Sequence, residues 1–275
     1  MTDVSNADLA GVAHWDATER NVAVSLESFG PTPGIRGFAR RQWHDLLVGA
    51  IAANTSAGSS PGDRSLLELG CGGSAFLPYF ARELGCKISG IDYSEGGINM
   101  ARALCAAHDV PVDLLQVDFF DAPTHLQNAF DVVVSFGVVE HFSDSPATVS
   151  AFSRFLKPGG TLITIVPNMQ GLCGIGQKVL DRSVYDIHET IDVPRLRDAH
   201  RKAGLEITRC EYFLFSNFGV INPGLKPSTI KRAAFQALRA LTVGIWAIES
   251  LVGRLPANRW TSPYVVCVAR KPEQS

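Results

Sequence analysis

The chain has 275 residues, 46% of them hydrophobic and 19% charged, with a formal net charge of −2. That apolar content suits one large α/β domain and excludes a disordered tail protein. The basic residues are scattered, which argues against a nucleic-acid partner. Six widely spaced cysteines without a C-x-x-C pair argue against a disulfide framework or a structural zinc. The polar start, with Asp3 and Asp8, does not read as a signal peptide, so the expectation is a cytoplasmic protein.

In chain order, residues 1–35 read as irregular and end in a Gly/Pro-rich stretch, and a helix is expected over 35–53. Residues 54–62 (NTSAGSSPG) read as a flexible connection. Strands are then expected at 65–69, 86–91, 112–117, 130–135 and 161–166, with helices at 75–84, 95–107 and 146–156 between them. The stretch Lys157-Pro158-Gly159-Gly160 stops the last of these helices. A further helix at 193–203 precedes strands at 205–214 and 264–269. Near-continuous apolar strands alternating with helices indicate a parallel sheet covered on both faces.

The central motif is Leu66-Leu67-Glu68-Leu69-Gly70-Cys71-Gly72-Gly73, a strand running into glycines and then a helix. Such a turn leaves backbone amides open to a nucleotide-like ligand. The nicotinamide spacing fails at Ala75, and the Gly-Lys-Ser/Thr of a P-loop is absent. Asp92 ends the second strand at the distance from Gly70 that places an acid on a ribose diol. Asp118 ends the third, where an acid can accept from an adenine amine, which separates this pattern from the nicotinamide one.

Together these stretches resemble a class I S-adenosylmethionine-dependent methyltransferase, similar to the ubiquinone/menaquinone-biosynthesis type and its small-molecule relatives. The matching runs are LLELGCGGS, ISGIDYS, LLQVDFFD, FDVVVSFGVVEHF and LKPGGTLITIVPN, in the family's order over residues 64–168. The resemblance implies a Rossmann-like, doubly wound, mostly parallel seven-stranded sheet. It implies that Glu68, Gly70, Cys71 and Gly72 line the methionine end of S-adenosyl-L-methionine, with S-adenosyl-L-homocysteine as product. Asp92 would hold the ribose, and Tyr93, Asp118 and Phe119 would meet the adenine. Ser135 and Phe136 would lie under the methionine moiety.

The acceptor half is less legible. A base helps where the acceptor must lose a proton, and two histidines stand out. His141 lies in Val139-Glu140-His141 just past the fourth strand, and His188 lies in a later loop that could fold over the same mouth. For His141 the readings of general base and of hydrogen-bonded structural residue both stand. Quinone-type and RNA-end methyltransferases can bind a metal through such a Glu–His pair and a later His. They carry another acid three residues earlier, where this chain has Gly137, so no metal is expected.

Residues 1–62 are expected to form an N-terminal segment and helix covering the active site, and 63–275 the core. Within the core, residues 215–262 form an insert between the last two strands, far longer than a hairpin loop. Ile230, Ala234, Ala237, Leu238, Leu241 and Ile245 recur there at helical spacing. Arg239 and Glu249 argue against a transmembrane span, so no stable membrane insertion is expected. A membrane-surface helix, an active-site lid and a homodimer contact remain, the last two being preferred. The function expected is O- or N-methylation of a small, partly hydrophobic acceptor. The alternative is C-methylation of a lipid, quinone or isoprenoid-like acceptor.

Overall fold

Valine, isoleucine and leucine occupy successive positions in the central strand segments, and the fold buries both sides of those strands while the two edge strands stay largely exposed. The structure, a computed structural model, describes residues 8–11, 14–16, 29–52, 63–224 and 227–273. The strands are β1 (Ser65–Leu69), β2 (Lys87–Asp92), β3 (Asp113–Gln116), β4 (Phe130–Phe136), β5 (Leu156–Pro167), β6 (Glu206–Phe213) and β7 (Tyr264–Arg270). They form one seven-stranded sheet in the order β3-β2-β1-β4-β5-β7-β6. Every pairing is parallel except β5–β7 and β7–β6, so β7 alone runs against the rest. This is the Rossmann-like sheet expected, and its strand order reverses between β1 and β4.

Alternation along each strand divides the core into two layers. Leu66, Val132, Val134, Ile163 and Ile165 face one side. There they pack with α1 (Phe38–Ala52), α2 (Leu77–Arg82) and α3 (Glu95–Ala107). Leu67, Val133, Leu162 and Val166 face the other, against α4 (Ser145–Ser153) and the helix Val193–Lys202. Coverage on both faces leaves only the ends of the strands for a ligand.

Two departures from the sequence expectations bear on the site. Lys157-Pro158-Gly159-Gly160 lies inside β5 rather than in a helix stop. The Gly159 amide donates to the Lys271 carbonyl (2.8 Å), and the Lys271 amide donates to that of Gly160 (2.9 Å). Between β5 and α7 (Val193–Lys202) stand two unforeseen helices, α5 (Leu172–Leu180) and α6 (Arg182–Asp186). The connection 54–62 lies outside the described residues.

The insert holds one long helix, α8 (Thr229–Val252), long and apolar enough to cross a membrane by length and composition. One side of it is fastened to the body. The Phe218 amide donates to Thr242 Oγ1 (2.9 Å) and Trp246 Nε1 to the Ser216 carbonyl (3.0 Å), while Glu249 Oε1 accepts from the Leu255 amide (3.0 Å) just past the helix's own end. Phe38 of α1 stacks on Trp246 at 6.1 Å.

On the far face, His200 of α7 is wholly buried, with Nδ1 donating to the Leu196 carbonyl (2.8 Å) and Nε2 3.0 Å from Thr164 Oγ1. Burial lowers its pKa to about 4. The unfolded chain, with an ordinary histidine near 6.5, therefore binds more protons in that window, and stability falls with pH from about 6.5 toward 4. The full contribution is about 3 kcal/mol. His200→Gln should flatten the fall in melting temperature over this range relative to the wild type. Equal slopes in a pH series of thermal melts would refute this account of the histidine.

Candidate active site

β1 ends at Leu69, and the chain turns at Gly70 with φ 69°, a conformation that side chains oppose. A Cβ at Gly70 would also lie 2.5 Å from Val138 Cγ2. The amides of Gly70 and Cys71 both donate to the Ile91 carbonyl, at 2.8 and 3.2 Å, and join the end of β1 to that of β2. The Gly72 amide then donates to Asp92 Oδ2 (2.8 Å), and the Ser94 amide to Oδ1 (2.9 Å). Burial holds the Asp92 carboxyl above its usual range, with those two amides drawing it back. Each of its oxygens keeps a lone pair for a further donor.

The other expected residues divide. Glu68 is wholly buried, burial pushes its carboxyl up to about 8 against the pull of the Ser74 side chain, and among the described residues neither oxygen has a hydrogen-bond partner of good geometry. Ser135 Oγ at the end of β4 is likewise buried without a partner. Asp118 is exposed and accepts only the Phe120 amide (2.9 Å) among the described residues. The N-terminal segment reaches this edge. Asp8 accepts from the Tyr93 hydroxyl, and Asp16 Oδ1 from Ser94 Oγ at 2.7 Å. Two side chains do not stand as walls. Cys71 packs beneath Gly90, where a Cβ would meet its sulfur at 2.7 Å, and Phe119 is buried against Phe142 (5.4 Å) and Phe152 (5.0 Å).

Beyond the ends of β4 and β5 opens a cavity of about 1360 Å³, with Trp43, Phe76, Phe136, Trp246 and Tyr264 among its lining. Phe136 stacks on Phe76 at 4.1 Å. His141 and His188 also line it, their rings 4.5 Å apart. His141 Nδ1 lies 2.9 Å from the Ile187 carbonyl and His188 Nδ1 2.5 Å from that of Val184. A carbonyl only accepts, so both Nδ1 atoms carry the proton and each Nε2 keeps its lone pair. Burial, with His188 beside it, lowers His141 to about 4, and burial lowers His188 too, so both rings are neutral at pH 7. Trp15 meets the His141 ring edge-on at 4.8 Å.

Sequence reasoning weighed Glu140 only as part of a metal-binding Glu–His pair and expected no metal; the structure places it in this cluster. Its carboxyl is buried and pushed up to about 8 by burial, and Oε2 has no partner among the described residues. Ligand atoms of Glu140, His141 and His188 lie within 4.8 Å of one another. Gly137, at φ 67°, leaves the place of a second acid, which would be the fourth ligand, bare.

Residues 67–164 match the family described as "Methyltransferase domain". A ubiquinone biosynthesis O-methyltransferase of Pseudomonas aeruginosa is 29% identical over 212 residues, 74% of this chain and 86% of that protein. The chain is a class I S-adenosylmethionine-dependent methyltransferase. Solved methyltransferase-like structures share its fold. The [4+2]-cyclase SpnF has a TM-score of 0.62 at 20% identity, covering 99% of this chain and 98% of that one. Geranyl diphosphate C-methyltransferase of Streptomyces coelicolor has 0.55 at 15% identity, covering 96% and 94%. In this methyltransferase the matched region ends at Thr164, so α5, α6 and α8, which wall the cavity, all lie outside it.

Proposed function

We propose that this methyltransferase moves a methyl group from S-adenosylmethionine to a hydroxyl of an apolar, ring-bearing small molecule, with His141 taking the proton. The observation that carries this reading is the pair of neutral imidazoles that line an aromatic-walled cavity with their Nδ1 atoms tied to carbonyls and their Nε2 lone pairs left over. The relatives that methylate oxygen in ubiquinone biosynthesis favour a hydroxyl over the amine or carbon acceptors that the sequence leaves open.

The edge of the sheet suits the cofactor. It has a sulfonium and an amine to offer, and the buried carboxyl of Glu68 and the hydroxyl of Ser135 lack partners there. In this reading Glu68, Gly70, Gly72 and Ser135 hold the methionine end. Asp92 accepts the ribose hydroxyls on its remaining lone pairs, and Asp118 accepts the adenine amine. When bound, the cofactor supplies an electrophilic methyl whose bond to sulfur breaks as the bond to the acceptor oxygen forms. The chain's own part is to align the two, exclude water and hold the proton. Trp43, Phe136 and Trp246 supply apolar walls, while His141 Nε2 receives the hydroxyl proton.

A second reading rests on the clustering of Glu140, His141 and His188, which fits three ligands of a divalent cation. Each imidazole is already oriented through its Nδ1–H by a carbonyl, as metal-bound histidines are. A cation there would lower the pKa of the acceptor hydroxyl directly.

The cofactor assignment predicts that Asp92→Ala weakens S-adenosylhomocysteine binding by about 10- to 100-fold, from the loss of charge-assisted bonds to two hydroxyls. Asp118→Ala, at an exposed carboxylate, should weaken it less and leave the melting temperature unchanged. Calorimetric titrations with wild-type affinity for both variants would mean that the ribose and adenine lie elsewhere.

The base assignment predicts that His141→Ala keeps cofactor affinity and loses turnover by about 10²–10⁴-fold. What remains should climb with pH as the acceptor hydroxyl ionises unaided. Elemental analysis and EDTA treatment separate the two readings. Turnover abolished by EDTA and restored by one divalent metal would replace the base with the cation, and insensitivity to EDTA would retain the base. Unaltered turnover in the variant would refute both.

A further inference from the structure

We propose that the outer faces of α8 and α5 form a docking surface for an anionic lipid bilayer, with α8 lying in the plane of the membrane. Ile230, Ala234, Ala237 and Leu241 follow one another at three- and four-residue spacing on the side of α8 that faces away from the body, and Ile248 and Val252 resume the stripe two turns on, past the exposed Gly244. They are bare: Ile230 is 82% exposed and Ile248 54%, and Leu251 beside them is 87% exposed. On α5, Leu172, Ile175 and Val179 make a second exposed apolar stripe, Val179 being 76% exposed. The two helices are neighbours. Cys173 and Leu180 of α5 share a buried cluster with Phe218 and Ile221, against which Phe235, Leu238 and Ile245 of α8 pack.

Charge selects the occupant. The single carboxylate on α8, Glu249, is buried, and its remaining ionic side chains, Lys231, Arg232 and Arg239, are all cations. Beyond its end Arg254 pairs with Asp45, and Arg259 lies 4.5 Å above the ring of Trp260, itself 54% exposed. The nearby acids of α6 and its cap are engaged, Asp186 with Arg182 and Asp181 with the Ser183 hydroxyl and the charge of Lys231. Long apolar stripes edged by cations and an exposed tryptophan match an anionic headgroup surface.

A second copy of the chain fits less well. Antiparallel two-fold packing would set Lys231 and Arg232 against Arg254 and Arg259, and parallel packing would set like ends together. No exposed carboxylate on α8 would offset either. A membrane-spanning orientation would break the bonds that Thr242 and Trp246 make to Phe218 and Ser216 and the stacking of Trp246 on Phe38. The inner faces of these same helices, through Cys173, Gln177, Arg239 and Trp246, wall the cavity. An acceptor dissolved in the bilayer would therefore meet the enzyme at the helices that hold its site.

The test is co-sedimentation of the full chain with vesicles of equal phosphatidylcholine and phosphatidylglycerol, set beside vesicles of phosphatidylcholine alone. The chain should pellet with the first at least about tenfold more than with the second. The double variant Leu241→Glu/Ile248→Glu should stay in the supernatant with its melting temperature and S-adenosylhomocysteine affinity unchanged, because neither side chain lines the cavity. A wild type that stays in solution with both vesicles, or a variant that pellets equally, would overturn the proposal. So would a wild-type dimer in analytical ultracentrifugation that the double variant converts to monomer without any vesicle binding. None of these measurements needs turnover, so their failure is separate from a failure of the acceptor assignment.

Discussion

Two amides on one carbonyl organise the functional edge of this methyltransferase. Gly70 and Cys71 both donate to Ile91, and that junction fixes the turn after β1 against the end of β2. From it follow the approach of the Gly72 amide to Asp92, the close passage of Gly70 over Val138, and the exit of β4 beside them. Only a residue without a side chain tolerates Gly70's φ and its neighbour at once. Since helices cover both faces of the sheet, the strand ends at this reversal of order are where backbone donors and carboxylates can meet a ligand.

The electrostatics of this edge are unbalanced in one direction. Glu68 and Glu140 are both buried, both raised to about 8, and each has an oxygen without a partner. Asp92 is raised as well. Stranded buried carboxyls cost stability unless something positive arrives, and leaving a buried acceptor unsatisfied costs about 1–3 kcal/mol. The sulfonium and amine of the cofactor at Glu68, and a proton or a cation at Glu140, are the complements such a site lacks on its own. The neutral histidines fit the same picture: burial keeps the imidazolium unfavourable until a counter-charge is beside it.

What was legible in the sequence was what local pattern alone decides. The strands and the helix Glu95–Ala107 emerge from apolar runs and glycine turns, and the order of motifs fixes the sheet. α5 was not legible, because Leu172–Leu180 contains Gly174 and Gly176, which read as helix breakers. The structure gives both a reason. A Cβ at Gly174 would meet the Met169 carbonyl oxygen at 1.9 Å, and one at Gly176 would meet Ile221 at 2.7 Å, so close packing rather than flexibility puts glycine there. The Lys157-Pro158-Gly159-Gly160 stretch misled for a related reason: pairing with Lys271, more than a hundred residues away, draws it into β5. Glu140 was seen in the sequence only as half of a Glu–His pair and set aside for want of an acid at Gly137, because its burial beside His188, 48 positions away, is a property of the fold.

The fold leaves the reaction open, since a sheet like this one also serves a [4+2]-cyclase. The choice of acceptor therefore rests on what surrounds the shared edge: Trp43 from α1, Cys173 and Gln177 from α5, and Trp246 from α8. α8 carries both jobs because its apolar residues exceed one face. A helix fastened along one side, through Thr242 and Trp246 and the packing of Phe235, Leu238 and Ile245, must leave the remainder against the cavity or against its surroundings. Its cavity side can be satisfied by a hydrophobic acceptor, and its outer side cannot be satisfied by anything the chain itself provides among the described residues. A polar outer face would have been enough for a lid alone. The apolar one makes sense where the acceptor and the surface that delivers it share the same chemistry.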